Sequence, residues 1–459
     1  MQKTWIMSRK LPYTPEDDSN ENVKRYEAFL SNRSVSGYFD VEEMESIVDY
    51  YLRKGRTKES SKALEFGFKL HPNSAALMSK RAKIYLATGE TQKAYSILES
   101  LGEQGDYEVT LLKIDALIRL ERNKEAHLLC KKLIDLESSD TDNVCLDIAY
   151  IFLAQFDIES AYKYLRTGED FNPSNEELLF ELAFCYEQKE ETDKAIATYN
   201  KIISSDPYAA EAWFNLGQIY FTLQDFQQAL IAYDYARVIR PDDSLSCLQK
   251  AHTHFQLQQY SEALEEYHAY EAMAAENWQT YLFIGECYER MEKFTDAIVY
   301  YQKSLDENEE NFEALTGIAI CMLEQELFNE SIPLLERAIK LNDSAPDVWV
   351  YLAEALTGID DTAGALIAYL KSINLDADQP DTLMAIANIF MEQAEFELAL
   401  QYYQEALQCD EHHELENIHL FMAVAYHHTG NDIASQESLK KAMNENLDAL
   451  KLFLELCPE

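Results

Sequence analysis

Apolar residues recur along this chain on helical stripes about thirteen residues long, broken by short polar turns. Residues 212–241, AWFNLGQIYFTLQDFQQALIAYDYARVIRP, show the pattern well. Trp213, Leu216, Gly217 and Tyr220 fall at i, i+3, i+4 and i+7, one face of a first helix. After the break at Leu223–Asp225, Ala229, Tyr233 and Ala236 define the face of a second. Gly217 and Ala229 lack side-chain bulk, so the two helices can approach closely. Pro241 has no N–H and clashes with the preceding turn, so the second helix ends before it. Asp243 or Ser244 is placed to cap the next helix. A helix of about 13 residues is roughly 20 Å long and marginal alone, so its stability must come from stacking.

The stripes repeat. Ala161, Ala195, Ala229, Ala263 and Ala297 are 34 residues apart, and Tyr199, Tyr233, Tyr267 and Tyr301 keep the same step, as do Pro173, Pro207 and Pro241. A fixed period of this length predicts stacked helix–turn–helix repeats. Extending the register gives repeats starting near 41, 75, 108, 142, 176, 210, 244, 278, 312, 346, 380 and 416. The third is degenerate: Ala126 falls one residue out of step, and Asp115–Ala116 straddle the small position of the first helix. The last follows a short insertion in the turn HHELEN.

These spacings resemble the tetratricopeptide repeat (TPR) family, as a long cytoplasmic array of bacterial type. The family favours bulky apolar, Leu, Gly/Ala and Tyr at repeat positions 4, 7, 8 and 11. It favours Ala, an aromatic, Ala and Pro at 20, 24, 27 and 32. Residues 213, 216, 217, 220, 229, 233, 236 and 241 match all eight. The expected fold is all-α, a right-handed α-solenoid of about twelve stacked TPR repeats with capping helices. Residues 1–40 are expected to be a tail and a capping helix, 41–446 the repeats, and 447–459 a C-terminal capping helix. Residues 1–19 read as extended or disordered.

Charge narrows the partner. The formal net charge is −43, and residues 1–40 are neutral, with six basic and six acidic residues, so all of it lies on 41–459. Such a field repels phosphate backbones and anionic membrane surfaces and attracts a basic or amphipathic ligand. The expected partner is a protein or peptide of basic, apolar character, with neither nucleic acid nor membrane insertion. No run of about eighteen apolar residues occurs, and MQKTWIMSRKLPYTPEDDSN carries no apolar core of signal-peptide length. The eight cysteines, none in a CxxC, read as free thiols in a reducing cytoplasm.

No catalytic pattern is present: no GxSxG, no P-loop, and no GxGxxG followed by an acidic residue. The chain is expected to be no enzyme and to need no cofactor or metal. Cys409, His412, His413, His427 and His428 gather near the last turns, but their spacing matches no zinc signature.

The TPR resemblance implies that positions 2, 5, 6, 9, 12 and 13 of each first helix line a concave face. The candidate partner-binding residues there are Phe180, Phe184, Phe214, Asn215, Gln218, Phe221, His252, Phe255, Phe283, Glu286, Tyr351, Met384 and Asn388. Glu177, Glu181, Glu187, Glu211, Glu289 and Glu354 lie between them. The basic clamp of the chaperone-binding TPR subset is absent: its positions 5 and 9 read Phe180/Phe184, Phe214/Gln218, Leu248/His252 and Leu282/Glu286. The face suits an apolar segment flanked by Lys or Arg. The aromatic residues can equally be packing between repeats. The N-terminal KTWIMSRKLPY, with Trp5, Ile6, Met7, Leu11 and Tyr13, has the composition such a groove would take, and can fold back as a pseudo-ligand or reach into a neighbouring molecule; the simpler reading is a frayed tail. The expected function is a non-catalytic interaction scaffold. The alternatives are a chaperone-like protein shielding apolar client segments and a regulatory subunit acting on an enzyme in trans.

Overall fold

A computed structural model describes residues 18–31, 37–102, 107–273, 277–409, 415, 417–446 and 448–457. Among them there are 26 α-helices and no strand. The N-terminal segment 1–17, with Trp5 to Tyr13, lies outside the described residues, as do His412 and His413. The chain divides into two compact units, residues 1–224 and 225–459.

In the first unit the helix Asp18–Leu30 packs on Val41–Arg53, the first of a series of antiparallel pairs. The leading helices are Val41–Arg53, Ala75–Ala87, Tyr107–Arg119, Thr141–Ala154, Glu176–Gln188 and Ala210–Thr222. The following helices are Thr57–Leu70, Thr91–Ser100, Asn123–Leu136, Ile158–Phe171 and Thr192–Ser205. The second unit opens with Phe226–Ile239. Its leading helices are Ser244–Gln256, Trp278–Arg290, Phe312–Leu323, Pro346–Gly358, Pro380–Glu392 and Ile418–His428. Their partners are Tyr260–Met273, Phe294–Glu307, Phe328–Leu341, Thr362–Leu375, Phe396–Cys409 and Asp432–Glu445, and Ala449–Leu456 closes the series. Within each unit every pair packs on its neighbours, which makes a helical-repeat solenoid.

The small residues sit where helices touch. Ala82, Ala149, Ala183, Ala251, Ala319, Ala353, Ala387 and Ala423 on leading helices are fully buried, as are Ala94, Ala161, Ala195, Ala229, Ala263, Ala297, Ala365 and Ala399 on following helices. Where Ser replaces Ala on the following helix, its buried hydroxyl needs an acceptor. Ser60 Oγ donates to the Val48 carbonyl at 3.1 Å, and Ser435 Oγ to that of Ala423 at 2.9 Å. The hydroxyl thereby fastens one helix to the other.

The leading helices are capped by side chains before them: Asp40, which forms a capping box with Glu43, then Ser74, Asn175, Asp243, Asn277 and Asn311. Pro346 and Pro380 open two others at the first turn, where a missing N–H costs nothing.

The turn inside each repeat has a second signature. One residue there is left-handed, with φ between 57° and 62° at Glu121, Phe156, Glu190, Gln224, Gln258, Glu292, Glu326, Asp360 and Ala394. Glycine fills the same place only at Gly55, Gly89 and Gly430. The turn closes with paired bonds, such as Ala394 N–H to the Met391 carbonyl at 3.0 Å and Glu395 N–H to that of Phe390 at 2.9 Å. A side chain in this region costs roughly 1–2 kcal/mol, partly offset by glycine's greater freedom when unfolded. Ala394→Gly is therefore expected to stabilise the second unit by about 0.5–1 kcal/mol, read as a higher urea midpoint by circular dichroism.

Candidate binding face

The thirteen candidates fall on two surfaces. In the first unit, Phe180 and Phe184 lie on Glu176–Gln188, and Phe214, Asn215, Gln218 and Phe221 on Ala210–Thr222. In the second, His252 and Phe255 lie on Ser244–Gln256, Phe283 and Glu286 on Trp278–Arg290, Tyr351 on Pro346–Gly358, and Met384 and Asn388 on Pro380–Glu392. Phe184 is buried, and the other twelve are half-buried. Each thus spends part of its surface on packing and leaves an edge to solvent. Phe184 leaves almost none, at 6% exposure, and belongs to the core.

The contacts explain the partial burial. On following helices, Tyr199, Tyr267, Tyr301 and Tyr403 are buried almost completely, and their hydroxyls must find partners. They find them on the leading helix of the same repeat. Tyr199 donates to Glu187 at 2.6 Å, Tyr301 to Glu289 at 2.6 Å and Tyr403 to Asn388 at 2.5 Å. The Tyr267 hydroxyl pairs with His252 Nδ1 at 2.7 Å. Four polar groups of the leading helices are therefore oriented from behind.

Around His252 the rings form a compact cluster. Phe283 meets the imidazole edge-on at 4.6 Å, stacks on Tyr267 at 5.9 Å and approaches Phe255 at 6.4 Å. Burial lowers the His252 pKa to about 4, so it is neutral at pH 7. In the first unit Phe180 leans on Tyr199 at 6.1 Å.

Each unit holds both paired and raised carboxylates. In the first, Lys80 is 5% exposed and bridges carboxylates from the leading helices of the repeats before and after its own. Its Nζ lies 2.9 Å from Asp49 and 2.9 Å from Glu108, with Glu45 at 3.8 Å, and Lys83 reaches Asp49 at 3.1 Å. Burial works against the Lys80 charge, but Asp49 and Glu108 outweigh it and hold the pKa above its usual value. Two lysines here face three carboxylates, and burial still raises the Glu45 pKa against Lys80. In the second unit Lys250 pairs with Asp234 and Glu266, while burial raises three carboxylates on leading helices. Burial, then the like charge of Glu289, pushes the Glu286 pKa up to about 7, against Arg290. Burial also raises Glu289, opposed by the Tyr301 hydrogen bond and Arg290, and burial with the charge of Glu324 raises Glu354.

Sequence reading missed the Lys80 network and the tyrosine bonds. One signal was available: Asp49 and Lys83 are 34 residues apart, so stacking puts them side by side.

No group of three or more His, Cys, Asp or Glu placed to hold a metal occurs among the described residues. His428 stacks on Phe396 at 4.5 Å, and its Nε2 lies 3.9 Å from the Cys457 sulfur. All eight cysteines are free, seven buried and Cys409 half-buried. Burial pushes the Cys145, Cys287 and Cys321 thiols up to about 12. They are unreactive thiols at neutral pH. No helix among the described residues is long and apolar enough to cross a membrane.

Comparison with known proteins places the repeat. Tetratricopeptide repeat models match residues 188–244, 248–321 and 322–382, a second matches 152–213, and a third 382–412. Together they leave only 245–247 unmatched between 152 and 412. This chain belongs to the tetratricopeptide repeat family, whose repeats serve as protein–protein interaction scaffolds. Tetratricopeptide repeat protein 8 of Caenorhabditis elegans is 26% identical over 220 residues, 46% of this chain. The matched region spans 42% of that relative's length. Similar solved structures include the C-terminal part of a TPR protein from Cytophaga hutchinsonii, 14% identical, with a TM-score of 0.46 over 52% of this chain and 98% of that one. Another is YrrB, described as a TPR protein with an unusual peptide-binding site, 18% identical, with a TM-score of 0.37 over 41% of this chain and 96% of its own.

Proposed function

We propose that this chain is a non-catalytic scaffold that holds a basic or amphipathic protein segment on its aromatic and acidic inner stripe. The observation that carries the reading is a set of raised carboxylates on leading helices of the second unit. Burial holds Glu286, Glu289 and Glu354 above the usual carboxylate range, with Arg290 the cation that opposes it at the first two. A ligand carrying Lys or Arg would supply positive charge there and be steered by the field of a chain with net charge −43. The half-exposed edges of Phe255 and Phe283 in the second unit offer apolar contact, as those of Phe214 and Phe221 do in the first. A reducing, cytoplasmic setting fits eight free, mostly buried thiols.

Affinity purification at low and moderate salt tests the reading. Partners held by a basic segment are expected to be retained at low salt and released as ionic strength rises. Phe214→Ala combined with Phe221→Ala is expected to weaken capture about tenfold, about 1–2 kcal/mol, with helix content near wild type. Identical recovery by the mutant would remove this aromatic patch from the binding face. Binding of many unrelated apolar peptides with suppression of their aggregation would instead favour a chaperone-like role.

A further inference from the structure

In the first unit a cleft of about 450 Å³ opens beside the helix Asn123–Leu136. Two departures from the repeat open it. The following helix Thr91–Ser100 has 10 residues, whereas the other four following helices of this unit have 14 each. Gly102, left-handed at φ 78°, ends it about a turn early. In the leading helix Tyr107–Arg119 the fourth and seventh residues are Thr110 and Lys113. The same places hold Leu179 and Leu182 in Glu176–Gln188, and Trp213 and Leu216 in Ala210–Thr222. Less apolar bulk therefore fills the space between these helices. One face of Asn123–Leu136 borders it: Glu125, Leu128, Leu129, Lys132, Leu133 and Leu136 fall at i, i+3, i+4, i+7, i+8 and i+11, a stripe roughly 16 Å long. Leu133 is buried with Val109 and Leu117 at the base, while Leu128 is 70% exposed and Leu136 65%.

The charge around this cleft runs against that of the chain. Residues 113–132 hold six basic and three acidic residues, in a chain of net charge −43. Lys113 and Lys132 border the cleft from different helices. Lys113 Nζ donates to the Gly102 carbonyl at 2.9 Å, a neutral partner that leaves the lysine charge in place. Of the two carboxylates bordering the cleft among the described residues, Glu125 is gripped on both oxygens by Arg122, at 2.7 and 2.6 Å, and Glu99 is exposed. Charges beyond about 8 Å are screened at physiological salt, so the local balance governs what enters.

We propose that this cleft seats an acidic amphipathic helix of a partner protein, its apolar face on the leucines and its carboxylates toward Lys113 and Lys132. A three-turn leucine ridge beside a groove is what the apolar face of a helix packs on, whereas an extended segment would need a sheet edge to pair with. A basic helix would meet both lysines. A single-stranded nucleic acid would find leucines where its bases need aromatic rings. Tyr95 is the aromatic side chain bordering the cleft among the described residues, and the Arg122 guanidinium already stands over its ring at 4.6 Å. The ligand has the opposite charge to the basic segment proposed above, so this site stands apart from that reading.

A fluorescein-labelled peptide of about sixteen residues, with Leu at i, i+3, i+4 and i+7 and Glu elsewhere, tests the cleft when the full chain is titrated into it and anisotropy is read. A peptide with Gln in place of every Glu is the uncharged control. The Glu peptide is expected to bind about tenfold or more tightly than the Gln peptide, with the gap narrowing as salt rises. Leu128→Ser combined with Leu136→Ser, both at exposed positions, is expected to weaken binding about tenfold with helix content unchanged. Lys113→Gln combined with Lys132→Gln is expected to leave the Gln peptide's affinity as it was and bring the Glu peptide down to it. Phe214→Ala combined with Phe221→Ala is expected to change neither, which separates this site from the aromatic patch. Hydrogen exchange in the complex is expected to slow within 91–102 and 107–136. No binding, unchanged binding by the leucine variant, a charge preference that survives the lysine variant, or protection confined to other helices overturns the assignment. So does self-association of the free chain that the leucine variant abolishes, which would make a second copy the occupant. Tighter binding of a polyuridine oligonucleotide, lost in the lysine variant, overturns it in favour of nucleic acid.

Discussion

Gly317→Ala is expected to destabilise the second unit by about 2 kcal/mol, although the same change would stabilise an isolated helix by about 1 kcal/mol. The reason is Tyr301, whose ring lies between two glycines on successive leading helices. A Cβ at Gly317 would stand 2.6 Å from the ring's Cε2 and Cζ, and one at Gly285 2.7 Å from Cδ1 and Cε1. Tyr301 is 1% exposed, and its hydroxyl is bonded to Glu289 at 2.6 Å, so the ring cannot yield toward either side. Overpacking a closed site costs about 3 kcal/mol, which exceeds the helix-propensity gain. The two terms separate in a double-mutant cycle. In a Tyr301→Ala background, itself about 3–5 kcal/mol less stable, the ring is gone and Gly317→Ala is expected to turn mildly stabilising. Urea midpoints by circular dichroism measure all four proteins. Hydrogen exchange across 278–323 shows whether the loss is confined to these repeats, as a one-dimensional stack requires. A stabilising effect of Gly317→Ala with Tyr301 in place would mean that the ring is not held between the two helices.

This contact marks the limit of what the sequence discloses. The solenoid class was legible because its markers are steric. Ala229 and Ala263 are small where helices touch, and Pro241 stands two residues past the helix ending at Ile239. Such requirements recur every period and select residue type. The turn geometry was not legible. Its left-handed residue is glycine in three places, but Glu, Gln, Asp, Phe or Ala in nine, so the conformation is imposed by the packing of the flanking helices. The inner stripe was legible only as a set of positions. Which polar residue receives a buried tyrosine hydroxyl varies between Glu187, His252, Glu289 and Asn388, at two different places in the repeat. No fixed spacing encodes that choice. The partly buried state of Phe214, Phe255 and Phe283 depends on how closely successive helices approach, a distance that no single repeat records.

The stability gained by Glu286→Gln is expected to depend on pH, near zero at pH 4.5 and at most about 3 kcal/mol at pH 8. Burial, then Glu289, raises the Glu286 pKa to about 7, while in the unfolded chain the carboxyl titrates near its ordinary value of 4.5. A raised acid favours the neutral form in the folded state, so its contribution is complete below pH 4.5 and lost as pH rises through 7. Gln keeps the shape and never ionises, so the variant escapes that loss. The groups facing Glu286 fix the size of the effect. Glu289 and Glu313 oppose its charge and Arg290 favours it, and its ionisation in turn bears on the buried hydroxyls of Tyr267 and Tyr301. His252 supplies the opposite limb. Burial depresses its pKa to about 4, so its contribution is present above about pH 6.5, the unfolded value, and disappears as pH falls through 4. Between pH 4.5 and 6.5 the two terms run against each other and largely cancel. Above pH 6.5 Glu286 is the one of these two that still titrates. The difference in urea midpoint between wild type and Glu286→Gln, followed from pH 4.5 to 8.5, should therefore rise and level off above pH 7. A difference that stays flat across that range would mean that Glu286 is charged and solvated in the free protein. A basic ligand would then gain nothing there by displacing a proton.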